Sequence, residues 1–401
     1  MNKGISLSVV PALSLLCVTT MALADDAEPG WAKGRPKTET AMKMAPVPAF
    51  PIPTPADQLP TKKFKLPPGF KVETWASGVL DARELRLGEK GNVFVSTLFV
   101  GNKVYVLPEK AVDGKREPKV IIDKTEQAAG IEFYKGSLYF ATHKRIVRYD
   151  NVEDKLDNLG EPTQVLNDKL PGGSDHSWKF LRVHDDKLYY NIGAPCNICD
   201  PGEYAKIYRM NLDGSNIETI ASGVRNTVGF DFDPKTGDLW FGDNGRDWLS
   251  EEIPNDELNH VTQPGKQHFG YPYCHQGDIP DPEFGWGKSC DDYTKPAALM
   301  GPHAGTLGVK FYTGKMFPAK YQGAMFVARH GPWNRTKKYA DIQVAWPDGK
   351  GGAKLETFMS GFVENNNYLG RPVDFLVLKD GSLLVSDDHA GAIYRISYAG
   401  N

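Results

Sequence analysis

One short unit recurs six times along this chain and limits the possible folds more than any other feature. It is a turn residue followed by a strand of apolar and aromatic residues. The copies are Gly91-Asn-Val-Phe-Val95, Gly136-Ser-Leu-Tyr-Phe140, Asp186-Lys-Leu-Tyr-Tyr190, Gly237-Asp-Leu-Trp-Phe241, Gly323-Ala-Met-Phe-Val327 and Gly381-Ser-Leu-Leu-Val385. They start at spacings of 45, 50, 51, 86 and 58 residues. An apolar strand precedes many copies, as in Gly130-Ile-Glu-Phe133 and Phe375-Leu-Val-Leu378. A third strand with a shared ending follows several: Ile146-Val-Arg-Tyr149, Ile207-Tyr-Arg209 and Ile393-Tyr-Arg-Ile396. A period of about 50 residues with three to four short strands is the mark of a propeller blade.

We therefore expect an all-β, six-bladed β-propeller over residues 66–401. A two-sheet sandwich would leave six copies of one unit unexplained. The 86-residue spacing predicts an insertion between the fourth and fifth blades, roughly residues 251–306. The early strand Val72-Glu-Thr-Trp75 is placed to close the ring against the last blade. In the fourth copy, residues 229–232 and 238–241 read as strands around the turn Asp233-Pro-Lys-Thr-Gly237. Proline sets φ there and glycine supplies a positive φ. The polar stretches 243–246 and 255–259 read as loops.

The first 65 residues are of another kind. Lys3 provides a short basic region, and residues 5–18 are apolar but short for a bilayer span. Ala22-Leu-Ala24 is a small-residue cleavage site. This predicts a Sec-type signal peptide over residues 1–24, a periplasmic destination and no transmembrane segment after cleavage. Residues 25–65 carry Pro46, Pro48, Pro51, Pro53, Pro55 and Pro60 and read as an extended tether or wrapping arm. The net charge of −3 gives no nucleic-acid footprint. Cys17 leaves with the signal, so four cysteines remain in an oxidising compartment. Cys196 with Cys199 and Cys274 with Cys290 then read as two local disulfides. Zinc or thiol-redox roles for Cys196-x-x-Cys199 lack a second ligand pair or a thioredoxin-like pattern.

In a propeller, one end of the channel collects loops from every blade, so ionisable residues at matching strand ends are candidates for a site. Asp175-His176, Arg225-Asn226, His303 and Arg371 hold such positions. A histidine beside a carboxylate suits a general base. Arg225, Arg329, Arg335 and Arg371 together suit a polyanion. The oxygen-rich stretches 243–246 and 255–257 suit a hard cation such as Ca²⁺.

These residues carry a resemblance. Leu66-Pro-Pro-Gly-Phe70, Asp175-His176, Gly193-Ala-Pro-Cys196-Asn-Ile-Cys199, Gly223-x-Arg225-Asn226 with Asp256-Glu-Leu-Asn259, His268-Phe-Gly-Tyr-Pro272, His330-Gly-Pro-Trp-Asn-Arg335 and Gly370-Arg371-Pro372 with Ser386-Asp-Asp388 occur in order over about residues 64–399. The chain resembles the soluble pyrroloquinoline-quinone (PQQ)-dependent glucose/sorbosone dehydrogenases, most nearly their sorbosone dehydrogenase-like branch. The resemblance implies a six-bladed propeller with PQQ over the channel mouth. His176 would take the substrate's hydroxyl proton, with Asp175 in support. Arg225 and Asn226 would line the quinone carbonyl side, and backbone carbonyls of Gly245 and Arg246 would hold Ca²⁺. His303 would lie beside the ring and Arg371 would pair with a PQQ carboxylate. The glucose-oxidising members carry a second arginine where this chain has Val373, and a carboxylate-binding lysine for which Arg329, His330 or Arg335 would substitute. The implied activity is oxidation of a sugar, sugar aldehyde or related alcohol or aldehyde, with electrons passed to an unidentified acceptor. A Ca²⁺-dependent lactone hydrolase and a non-catalytic binding propeller are the competing readings; the first needs carboxylates converging on a metal.

Overall fold

Each repeat becomes one antiparallel sheet, because a lone hairpin with one apolar face needs further strands and a second sheet to cover it. The computed structural model describes residues 1, 35–37, 51–98, 100–125, 129–172 and 175–400. Apart from Met1, the expected signal segment lies outside the described residues, as does much of the proline-rich arm. Among the described residues, six four-stranded sheets form a six-bladed propeller. The innermost strands are Ala82–Leu87, Ile131–Tyr134, Leu181–His184, Phe230–Phe232, Thr306–Phe311 and Pro372–Val377, and neighbours in this order touch around the axis.

Glycine permits the closest of these approaches. A Cβ on Gly229 would stand 2.3 Å from the Leu307 carbonyl oxygen, and one on Gly308 would stand 2.4 Å from that of Val373. Between adjacent blades lie separate apolar cores. One joins the fifth and sixth blades through Phe326, Phe358, Phe375 and Tyr394, and takes in Leu59 and Phe64 from the arm. Each such large side chain contributes roughly 1.5–3 kcal/mol on burial, so ring closure rests mainly on these inter-blade faces.

The closure itself is by Phe70–Ser77, which pairs antiparallel with Ala392–Tyr398 as the outermost strand of the sixth blade. The chain's first strand thus completes its last sheet, as the position of Val72–Trp75 predicts. Upstream, the Ile52 and Thr54 amides donate to the carbonyls of His389 and Ala390 at 2.7 and 3.0 Å. Around Ile52 and Thr54 the arm is therefore docked on the sixth blade rather than a free tether.

Two expectations about the fourth blade are corrected. Asn255–Val261 is its third strand, not a loop. The insertion leaves after this strand and returns as the fourth strand, Ala298–Pro302, so it sits inside the fourth blade rather than after it. The misreading has a physical cause. Asp256, Glu257 and Asn259 are polar but buried, so this strand lacks the usual apolar alternation. Both expected disulfides form, Cys196–Cys199 and Cys274–Cys290, and the second staples the insertion.

The channel is filled by ions of alternating sign, one from each innermost strand: Arg86, Glu132, Arg182, Asp231, Lys310 and Asp374. Arg86 meets Glu132 at 3.0 Å and Asp374 at 2.9 Å. Arg182 meets Glu132 at 3.5 Å and Asp231 at 3.1 Å, and Lys310 meets Asp231 at 3.0 Å. Glu84 adds a fourth acid against Arg86 at 2.9 Å. Its burial pushes its carboxyl well above the usual range, against the pull of Arg86. Burial raises Asp231 as well, but Lys310 and Arg182 outweigh this and hold it at about 2. Asp231→Ala would leave two cations buried without their shared partner. It is expected to cost about 3–5 kcal/mol, read as a lower urea midpoint at unchanged slope. A loss below ~1 kcal/mol would show that the ring contributes little to stability.

Candidate active site

Blade topology decides where the site lies. The loop entering each innermost strand and the loop leaving the second strand open at the same end of the channel. There, residues from segments 175–178, 225–228, 303–307 and 330–334, with Asn244, Gly245, Asp247, Arg83, Asp256 and Arg371, line a cavity of about 300 Å³. Of the residues expected at a site, Asp175, His176, Arg225, Asn226, Gly245, His303 and Arg371 meet here.

His176 is buried, with Nδ1 2.8 Å from the Ala194 carbonyl oxygen. A carbonyl only accepts, so Nδ1 carries the proton and Nε2 keeps its lone pair. Burial, then the nearby Arg225, lower its pKa to about 3, so the ring is neutral at ordinary pH. The edge-on Trp178 ring, 5.7 Å away, packs against it. This corrects the expected role of Asp175. His176 is oriented by a backbone carbonyl, while Asp175 Oδ2 is buried without a hydrogen-bond partner. Burial raises the Asp175 pKa, and Asp247 adds to this against Arg225.

Arg225 is engaged more fully than the sequence implied. Its Nε and Nη2 donate to the carbonyl and side-chain oxygens of Asn197, both at 2.9 Å. Nη2 also donates to Asp247 at 2.9 Å, and Nη1 to the Asn244 carbonyl at 3.0 Å. Four of its five N–H groups thus bond protein, and the residue braces the wall rather than presenting an open fork. Asn197 lies inside the Cys196–Cys199 loop, so the disulfide closes the turn that holds Arg225. Behind it, Asp243 accepts the backbone amides of Arg225 and Asn226 at 2.9 and 2.7 Å.

Two corners of the cavity differ in chemistry. Around Gly245 the free groups are oxygens: Asn226 Oδ1 and Asn244 Oδ1 are buried without a hydrogen-bond partner. Asp256 lies beside them, accepting the Gly245 amide at 3.0 Å. Orphaned neutral oxygens near a carboxylate suit a hard cation. Across the cavity the free groups are donors. Arg371 is buried, and its guanidinium donates to the carbonyls of His330 and Gly331 at 3.0 and 2.6 Å and lies against Tyr368, whose ring is 4.6 Å away. No carboxylate pairs with its side chain among the described residues. Arg83 adds a second guanidinium, whose Nε is buried without a partner.

His303 follows the last strand of the fourth blade with φ at 52°. Its Nε2 is 2.7 Å from the Ser250 carbonyl and its Nδ1 3.4 Å from the Asn334 amide, so both nitrogens are engaged. Arg329, Arg335 and Arg246 do not line the cavity. Arg329 is committed to Asp341 and to the Met300 carbonyl, and Arg335 to Glu252 and the Glu251 carbonyl. The Arg246 side chain pairs with Asp281 and Glu283 of the insertion at 2.6 and 3.0 Å. Of the three substitutes for the family's lysine, only His330 reaches the site. Arg83 had no signal in the sequence, because it stands outside any local motif of charge or spacing; Asn197 lies inside the Cys196–Cys199 motif and Asp247 directly after the stretch 243–246, and neither is singled out there.

A family model described as TrAA12-like matches residues 64–399. The chain belongs to this family. An uncharacterised protein of Borreliella burgdorferi is 32% identical to it over 357 residues, spanning 84% of this chain and 92% of that one. Among solved structures, the holo pyranose dehydrogenase PQQ domain of Coprinopsis cinerea aligns with a TM-score of 0.71 at 20% identity, covering 83% of this chain and 97% of that one. The calcium structure of a Trichoderma reesei family AA12 enzyme aligns with a TM-score of 0.71 at 18% identity, covering 84% and 97%. PQQ-bound aldose sugar dehydrogenase of Streptomyces coelicolor aligns with a TM-score of 0.57 at 18% identity, covering 84% and 100%. At these identities the TrAA12-like chain shares the fold with the three structures.

Proposed function

We propose that this protein is a PQQ- and Ca²⁺-dependent oxidoreductase acting on a sugar, a sugar aldehyde or a related alcohol or aldehyde, related in specificity to the sorbosone-type dehydrogenases. The observation that carries the reading is Arg371, a buried cation facing the cavity with only neutral partners. Holding such a charge unpaired is costly, and an anionic ligand relieves the cost. PQQ, a tricarboxylate, fits this corner, and a calcium ion fits the orphaned oxygens opposite. Family membership and the ligands named for the Coprinopsis, Trichoderma and Streptomyces structures support the same assignment.

Arg371 and Arg83 would hold the cofactor's carboxylates. Asn226, Asn244 and the backbone at Gly245 and Arg246 would hold the metal. When bound, the quinone with its calcium ion supplies a two-electron acceptor, which must pass electrons on to an acceptor still to be identified. The protein's own work is to place the substrate and move a proton. His176 would accept the hydroxyl proton at Nε2 as the C–H bond breaks, its ring held by the Ala194 carbonyl. The buried wall around Trp178, Val228 and Leu307 excludes water from that transfer. A metal-dependent hydrolase is less well served: among the described residues no three His, Cys, Asp or Glu side chains converge to hold an ion. We further propose export to the periplasm through residues 1–24. No helix among the described residues is long and apolar enough to cross a membrane.

Reconstitution tests the reading. Cofactor-free protein mixed with PQQ and Ca²⁺ should shift the quinone absorbance and reduce a dye when a sugar is added. A chelator should abolish the dye reduction. No spectral change with PQQ would refute the cofactor, and sugar oxidation persisting in full after chelation would refute the metal.

A further inference from the structure

Asp387 and Asp388, at the end of the second strand of the sixth blade, are not on the cavity wall. Three of the wall's residues nevertheless lead back to them. Asp387 accepts the Arg371 backbone amide at 2.9 Å. Gly370 makes that approach possible, since a Cβ there would stand 2.2 Å from Asp387 Oδ2. Asp388 accepts Arg83 Nη1 through Oδ2 at 2.7 Å, and His330 Nε2 through Oδ1 at 2.8 Å. Arg83 comes from the first blade, His330 from the fifth and Asp388 from the sixth, and all three are buried.

We propose that Asp388 is a positioning residue for ligand binding: it fixes the Arg83 guanidinium as a donor beside Arg371 and holds the His330 ring in place against them. This rests on the anionic-cofactor reading above and names Arg83 as the group that would complete the carboxylate clamp with Arg371. The geometry is specific. A carboxylate is acceptor-only, so it holds two donors at once and keeps the His330 proton on Nε2. Both partners carry long or rotatable side chains, whose freedom is removed before the ligand arrives. Without Asp388 the Arg83 guanidinium, already lacking a partner at Nε, loses its one carboxylate.

Position and charge predict opposite results, which makes the inference testable. Asp388→Asn removes a negative charge near the cavity, so a purely electrostatic role would tighten binding of an anion. A positioning role weakens it, because the amide keeps one accepting oxygen and replaces the other by an NH2 group that can accept from neither Arg83 nor His330. PQQ titrated into the Ca²⁺-loaded protein is expected to bind Asp388→Asn at least about tenfold more weakly, with kcat at saturating PQQ within about twofold of the parent. Equal or tighter binding overturns the inference. A second measurement needs no cofactor, so it stands even if the parent itself takes up no PQQ, which would sink the functional reading instead. With ¹⁵N-labelled histidine, ligand-free parent protein should show His330 as the Nε2–H tautomer. In Asp388→Asn that signal should change tautomer or broaden as the ring leaves its place, and an unchanged His330 overturns the inference. If Asp388→Asn does not fold, Arg83→Gln replaces it in the titration: weaker PQQ binding is expected, and unchanged binding overturns the clamp.

Discussion

Replacing His176 with alanine is expected to lower kcat by about 10²–10⁴-fold, the usual worth of a positioned base. A hydroxyl-bearing carbon is a poor hydride donor until the hydroxyl proton is leaving, so a base must stand at the reacting oxygen. His176 is suited by geometry: its Nδ1–H is fixed on the Ala194 carbonyl, and Nε2 is the nitrogen left to accept. His303 is not, since its two nitrogens already meet Ser250 and Asn334. PQQ affinity should change little in His176→Ala, because the arginine corner is untouched. The check is stopped-flow reduction of the PQQ-saturated enzyme by substrate. Near-normal turnover of the alanine variant would remove His176 from the mechanism while leaving the propeller and its cavity unaffected.

Arg371→Met should do the reverse. Losing a buried hydrogen-bonded charge that meets an anion costs about 2–5 kcal/mol of binding, or roughly 30- to several-thousand-fold in PQQ affinity. Turnover at saturating PQQ should stay within about an order of magnitude, because the base is elsewhere. The same substitution should leave the ligand-free protein as stable as before or more so, since a buried cation with no carboxylate partner is exchanged for an apolar chain of similar volume. Calorimetry with and without PQQ separates the cases. A melting point that falls sharply without ligand, while PQQ affinity holds, would make Arg371 a structural residue and remove the main support for an anionic cofactor.

What could be read from the chain alone divides along the range of the interactions. The repeat is local: a turn residue and the strand after it stand within five positions, so six blades were legible, as was the closing strand at 70–77. The matching strand-end positions of His176, Arg225 and Arg371 followed from the same period, and the cavity brings them together. Errors arose where sequence proximity stood in for contact. Asp175 is the neighbour of His176, yet the carbonyl that orients the ring belongs to Ala194. Arg329 and Arg335 flank the cavity-lining segment 330–334, yet both turn to carboxylates outside it. Residues 255–259 looked like a loop because their polar side chains serve the interior.

The sequence by itself determined the all-β class, the number of blades, the manner of closure and the end of the channel where the cavity opens. These depend on strand periodicity and turn chemistry, which act within a few residues. Only the tertiary structure decided which charges meet. The alternating ring of Arg86, Glu132, Arg182, Asp231, Lys310 and Asp374 draws one member from each blade. Arg83 and Asp388 are 305 residues apart. Closing a circle brings first and last blades into contact, and no local pattern records that a lone charge in one strand will be answered by another from the far end of the chain.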